Sequence, residues 1–139
     1  MTTALKLTHD EPKLVYLALV YHLGRPGSEL DAVTRQPVER GLRQVKVALG
    51  NALEADSAVI ELDDWQYQRL LSAIKGCVTE FRVLHMGQGL RSTVERWTET
   101  AQSLFPELAR DREESLSLAE AMMMLERRIE RAVARARES

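Results

Sequence analysis

Residues 62–87 read LDDWQYQRLLSAIKGCVTEFRVLHMG, and this stretch decides the fold class. Tyr67, Leu70, Ile74, Cys77, Phe81 and Leu84 alternate three and four residues apart, which lines one side of an α-helix. Leu71 and Val78 widen that stripe beyond a coiled-coil seam, toward the broader face of a bundle core. The start is specified as firmly as the stripe. Asp63 stands at the N-cap, Gln66 at the reciprocal position of a capping box, and Leu62 and Tyr67 at the two hydrophobic-staple positions. Gly87 offers the left-handed stop. The spacing predicts a helix ending near Met86 and roughly 34 Å long at 1.5 Å per residue.

A helix with one apolar face needs partners, and the flanking sequence supplies them. Thr8 and Glu11 repeat the capping-box spacing, and Pro12 falls in the first turn of a helix expected over Asp10 to Leu23. Gly24-Arg25-Pro26-Gly27 ends it. Ser28 to Pro37 reads as a connecting segment with one short helical turn over Ser28 to Val33. A second helix is expected from Val38 to Ala55 on the stripe Val38, Leu42, Val45, Leu49 and Ala52. A fourth helix begins near Ser92 and stops before Pro106, with Leu90, Val94, Trp97, Ala101 and Leu104 on one face. The last starts between Asp111 and Ser117 and runs to Arg137 on Leu118, Met122, Leu125, Ile129, Ala132 and Ala136.

The fold expected is therefore all-α: a single domain over residues 1–139, a bundle of about five helices packed at shallow angles. The first helix is apolar nearly all round, through Leu14, Val15, Leu17, Ala18, Leu19, Val20 and Leu23, so it belongs at the centre or under a partner chain. Residues 58–62 are the one strand-like piece. Ile60 and Leu62 alternate with Glu61, but the run is short and no partner strand is apparent, so it reads as an extended connector. No internal repeat is apparent.

Composition bounds the function classes. The 139 residues are 45% hydrophobic and 29% charged, a globular mix. Nineteen basic residues against twenty-one acidic ones leave a net charge of -2, with no global attraction to nucleic acid or an anionic membrane. No apolar run approaches the about 20 residues of a membrane span, and the N-terminus lacks the layout of a signal peptide. Cys77 is the single cysteine, which excludes an internal disulfide and suits a reducing cytoplasm. The frequency of Arg, Ala and Leu fits a GC-rich bacterial source.

Chemistry-bearing residues are few. No Glu lies three residues before His9, His22 or His85, so the paired Glu-x-x-His ligands of a di-iron bundle are missing. Cys77 falls on the core stripe, where an apolar setting makes a thiol inert. The two glycine-containing turns lack the spacing of phosphate-binding loops. No Ser/His/Asp set and no inward pair of carboxylates can be assembled. The expectation is a chain without cofactor or metal, and the reading leans against an enzyme without excluding one.

Three features point to partners. Met122, Met123 and Met124 cover about 200° of a helix, so they do not all fit one core stripe. With Leu19 they are the candidate interface residues of a homo-oligomer, most simply a dimer, or of a contact with a different protein. Arg40, Arg43 and Lys46 line the second helix, with Ser28 to Val33 and Thr34 to Pro37 in the places of the first helix and turn of a helix-turn-helix. Arg127, Arg131 and Arg135 share one side of the last helix. These six cations are the candidate contacts of an alternative, nucleic-acid-binding reading, while Glu54, Asp56, Glu61, Asp63 and Asp64 form an acidic patch that the C-terminal run, with Arg128 and Arg137, is read as meeting either within the monomer or across a dimer. A pocket between helices, for a small ligand or a reaction, is the third reading.

Overall fold

The computed structural model of the chain describes residues 2–24, 32–86 and 96–138. In chain order they form β1 (Thr2–Thr8), α1 (Glu11–Gly24), α2 (Ala32–Gly50), β2 (Ser57–Asp63), α3 (Asp64–Met86), α4 (Trp97–Leu104), a 3₁₀ turn (Pro106–Ala109) and α5 (Glu113–Glu138). The fold is mostly helical with one small sheet. No helix among the described residues is long and apolar enough to cross a membrane.

One predicted capping box forms in full and the other only in half, because α1 starts from Asp10, whose carbonyl accepts the Leu14 N–H at 3.0 Å. The Glu11 carboxylate accepts the Thr8 N–H at 2.9 Å, fixing the step from β1 into α1. At the head of α3 the box is fully reciprocal: Gln66 Oε1 accepts the Asp63 N–H at 2.9 Å and Asp63 Oδ1 accepts the Gln66 N–H at 2.8 Å. Leu62 and Tyr67 are both buried at the staple positions. Each bond satisfies an amide that the helix start leaves without a partner.

α1 lies at the centre. Leu14, Val15, Leu17, Ala18 and Leu19 are all buried, and α2, α3, α4 and β1 all contact the helix. This explains its missing polar face: the chain itself covers it. α5 lies along α3, and Met122, Leu125, Ile129 and Val133 face the core. The Trp97 indole closes the core beside Phe81, edge to face, with ring centroids 5.0 Å apart.

Two expectations are corrected. The extended connector near residues 58–62 is a true strand: β2 pairs antiparallel with β1, Leu5 opposite Ile60 and Thr3 opposite Leu62. Leu5, Leu7, Ile60 and Leu62 point inward while Ala4, Lys6, Val59 and Glu61 point out. The alternation in β1 is there in the sequence, but only two large apolar residues carry it, and its partner lies far along the chain. The second correction concerns α2. It starts at Ala32 and ends at Gly50, so the backbone is helical through Pro37, and residues 51–54 form turns. A continuous helix over 32–40 leaves no turn at Thr34 to Pro37, which removes the helix-turn-helix geometry. The proline sits in the first turns, where it forgoes one bond, to the Val33 carbonyl. The proposed short turn over Ser28 to Val33 lies mostly outside the described residues, as do Gly87, Leu90, Ser92 and Val94. α4 is described only from Trp97.

Candidate functional site

The candidate interface residues separate by burial. Leu19 and Met122 have no exposed surface; each packs in the core of the chain itself and is not available to a partner in the folded state. Met123 is partly buried, and its sulfur accepts from the Arg82 guanidinium at 3.9 Å. Met124 is 68% exposed. The triplet therefore does what its 200° arc requires: one residue inward, one at the margin, one outward.

Among the described residues, Val47 on α2, Val59 on β2, Trp65 at the head of α3 and Met86 at its end are also large apolar side chains left exposed. Sequence reasoning did not single these out, although the signal was present. Trp65 is out of phase with the Tyr67–Leu70–Ile74 stripe, and Val59 is out of phase with Ile60 and Leu62. Trp65 is 68% exposed, a large fraction for an indole.

The candidate nucleic-acid contacts lie on two separate helices. Arg40 and Arg43 are exposed and Lys46 half-buried on α2. Arg127, Arg131 and Arg135 are exposed on α5. Neighbouring arginines of α5 serve the fold: Arg128 reaches back to the Glu11 carboxylate and the Lys6 carbonyl, tying α5 to the β1–α1 corner. Arg137 Nη2 meets Asp64 Oδ1 at 2.7 Å and Oδ2 at 2.9 Å, so one arginine of the C-terminal run reaches the acidic patch within the chain.

The histidines take three settings. His9 is exposed in the β1–α1 turn with a left-handed backbone, φ 57°. His22 is buried within α1. His85 meets Glu113 Oε1 at 3.0 Å, linking the end of α3 to the start of α5. No group of three His, Cys, Asp or Glu placed to hold a metal ion occurs among the described residues. Burial drives the Cys77 thiol well above its ordinary range, with the Glu80 carboxylate adding to the rise. The Trp97 N–H approaches its sulfur without the geometry of a full hydrogen bond. Burial, and then the Glu61 carboxylate, push the Tyr67 phenol up to about 12. Its hydroxyl donates to the Thr3 carbonyl at 2.7 Å, pinning β1 onto α3.

Surface grooves cross the described residues at two places considered for a ligand. One, of about 430 Å³, runs between α3 and α5 over Leu71 and Val133, rimmed by Lys75, Glu130 and Arg137. The other, of about 810 Å³, lies at the β1–α1 turn, where Lys6, His9 and Lys13 face Glu54 and Asp56. Both are open and mixed in charge, with neither sign of charge dominating. No protein-family model, no curated protein and no solved structure matches the chain.

Proposed function

We propose that this chain is a non-enzymatic, self-associating interaction protein, with the exposed apolar surface at the head of α3 as its contact. The observation that carries the reading is Trp65. A tryptophan 68% open to water stands beside a core that is already complete without it. Val59, on the strand leading into the same helix, is exposed too. Tryptophan is the residue type most enriched where protein interfaces concentrate their binding energy. The partner in this reading is a second copy of the chain, most simply in a dimer. Met124 and Val47 offer further apolar contact on α5 and α2. A cytoplasmic setting and shallow-angle packing of the long helices belong to the same proposal, supported by the single buried thiol and the near-heptad stripes of α3 and α5.

The test uses the two tryptophans. Trp97 is fully buried, so changes in emission on dilution report Trp65. Dilution of the wild-type chain is expected to shift emission to the red as Trp65 regains water, and Trp65→Phe is expected to abolish the shift. Emission that is constant over the whole concentration range removes the reading.

A second reading rests on α2. From Arg40 to Leu53 the sequence holds no carboxylate, while Arg40 and Arg43 are exposed. Such a face suits phosphate contact by a backbone-tracking, sequence-independent mode. Retention of duplex DNA or RNA that weakens steeply with salt, and that Arg40→Ala with Arg43→Ala reduces, supports it. Failure to bind at about 50 mM salt excludes it.

A further inference from the structure

The two strand–helix corners of this molecule follow one pattern, although α1 begins two positions later on it than α3, after a left-handed His9. At one constant offset along the chain, Leu5 corresponds to Ile60, Leu7 to Leu62, Thr8 to Asp63 and Glu11 to Gln66. β1 and β2 share the same pattern of buried and exposed positions over all seven residues. Each ends in a residue whose backbone N–H is accepted by the side chain three positions on. The offset continues into the helices. Val15, Ala18, Leu19 and His22 of α1 are buried, and so are their counterparts Leu70, Ala73, Ile74 and Cys77 of α3.

The strand register is the one that a two-fold axis relating these halves requires. In an antiparallel pair a two-fold must place equivalent residues opposite each other at its centre, and Leu5 is paired with Ile60. Away from the centre the pairs exchange as the axis demands: Lys6 stands opposite Val59, and their counterparts Glu61 and Ala4 stand opposite each other. The helices give the same axis independently. A Cβ on Gly76 of α3 would overlap the ring of Tyr21 on α1, and Tyr21 and Gly76 are counterparts at the same offset. The outer helices follow. α5 sends Arg128 to Glu11, the capping residue of α1. On α2 it is Gly41 that lies against Gln66, the capping residue of α3. Setting Gly41 against Arg128 aligns buried Leu42 with buried Ile129 and part-buried Val45 with part-buried Ala132.

We infer that the chain is two copies of one β-α-α unit, β1-α1-α2 and β2-α3-α5, packed about a pseudo-two-fold axis as the subunits of a homodimer pack. The surface joining them, the β1–β2 ladder and the α1–α3 crossing, is self-complementary, and the partner it fits is another unit of the same pattern. α4 and the 3₁₀ turn are an insertion in the second copy. The counterparts also separate what the fold needs from what it does not. Asp10 occupies the position equivalent to Trp65, and Ala4 that of Val59, so the unit folds with no large apolar group at either place.

The axis is tested by moving the ring across it. Gly76→Tyr alone drives a second ring into Tyr21, and Tyr21→Gly alone leaves the crossing unfilled. Each is expected to lower Tm by roughly 5–10 °C. In the double variant the ring sits on α3 against a glycine on α1, which a two-fold makes equivalent, so Tm is expected to recover at least half of the summed loss. A double variant whose loss equals that sum overturns the inference. Should Gly76→Tyr fail to fold by itself, cooperative unfolding of the double variant supports the axis and its absence overturns it.

Discussion

Truncating Leu19 measures how central α1 is. Its side chain has no exposed surface, and α1 is covered by α2, α3, α4 and β1, so the site has little freedom to collapse. Leu19→Ala removes three carbons and leaves a cavity, which places the cost in the upper part of the range for such changes, about 3–5 kcal/mol. At about 4 °C per kcal/mol for a domain of this size, Tm falls by roughly 12–20 °C. Urea titration followed by far-UV circular dichroism reads the same loss as a lower midpoint with an unchanged slope, because the surface exposed on unfolding scarcely changes. Met124→Ala is the control: an exposed site, expected within about 0.5 kcal/mol of wild type. A Leu19→Ala protein within about 1 kcal/mol of wild type would refute the reasoning, since a wholly enclosed leucine does not give up its contacts so cheaply. So would a Met124→Ala loss of comparable size.

Three further outcomes follow from local geometry. Gly41→Ala sets a gain of about 0.5–1 kcal/mol in helix propensity against displacement of Gln66 from its bond to the Asp63 N–H, so its net effect lies within about 1 kcal/mol of zero; in a Gln66→Ala background, where no Gln66 side chain remains to be displaced, it becomes clearly stabilising in thermal unfolding. The Cys77 thiol, buried and shifted upward, resists alkylation at mildly alkaline pH until denaturant opens the chain, and rapid labelling of the native protein would contradict its placement. Tyr67 holds its proton to about 12 when folded, against 10.0 for the free phenol. Its contribution is complete below pH 10 and is lost as the pH rises toward 12, where the unfolded chain alone ionises, so Tyr67→Phe should flatten that alkaline limb at a cost of about 1 kcal/mol near neutrality.

What the sequence disclosed, and what it hid, divide along one line. Local signals were legible. The Asp63–Gln66 box and the stripe from Tyr67 to Leu84 place α3 almost to the residue, because cap chemistry and a 3.6-residue period both act within a turn or two. The all-round apolar character of α1 correctly implied a surrounded helix. Non-local pairing was not legible. β1 carries only Leu5 and Leu7 as large inward residues, and nothing nearby in the chain marks β2 as its partner. The duplication escaped notice for the same reason: counterparts such as His22 and Cys77, or Gly41 and Arg128, share burial and position but not chemistry. The surface was half legible. The methionine arc told that one residue must face out, but not that Leu19 and Met122 would be enclosed by the chain's own helices, nor that Arg128 would be spent on Glu11.

Molar mass in solution, by light scattering behind size exclusion, tests the central claim of self-association through the head of α3. The account predicts that the wild-type chain elutes above its 15.8 kDa monomer mass, at about twice that value for a dimer. It also predicts that Trp65→Glu returns it to a monomer that still unfolds cooperatively, with a Tm that no longer depends on protein concentration. A wild-type protein that stays at 15.8 kDa at every concentration would contradict the account.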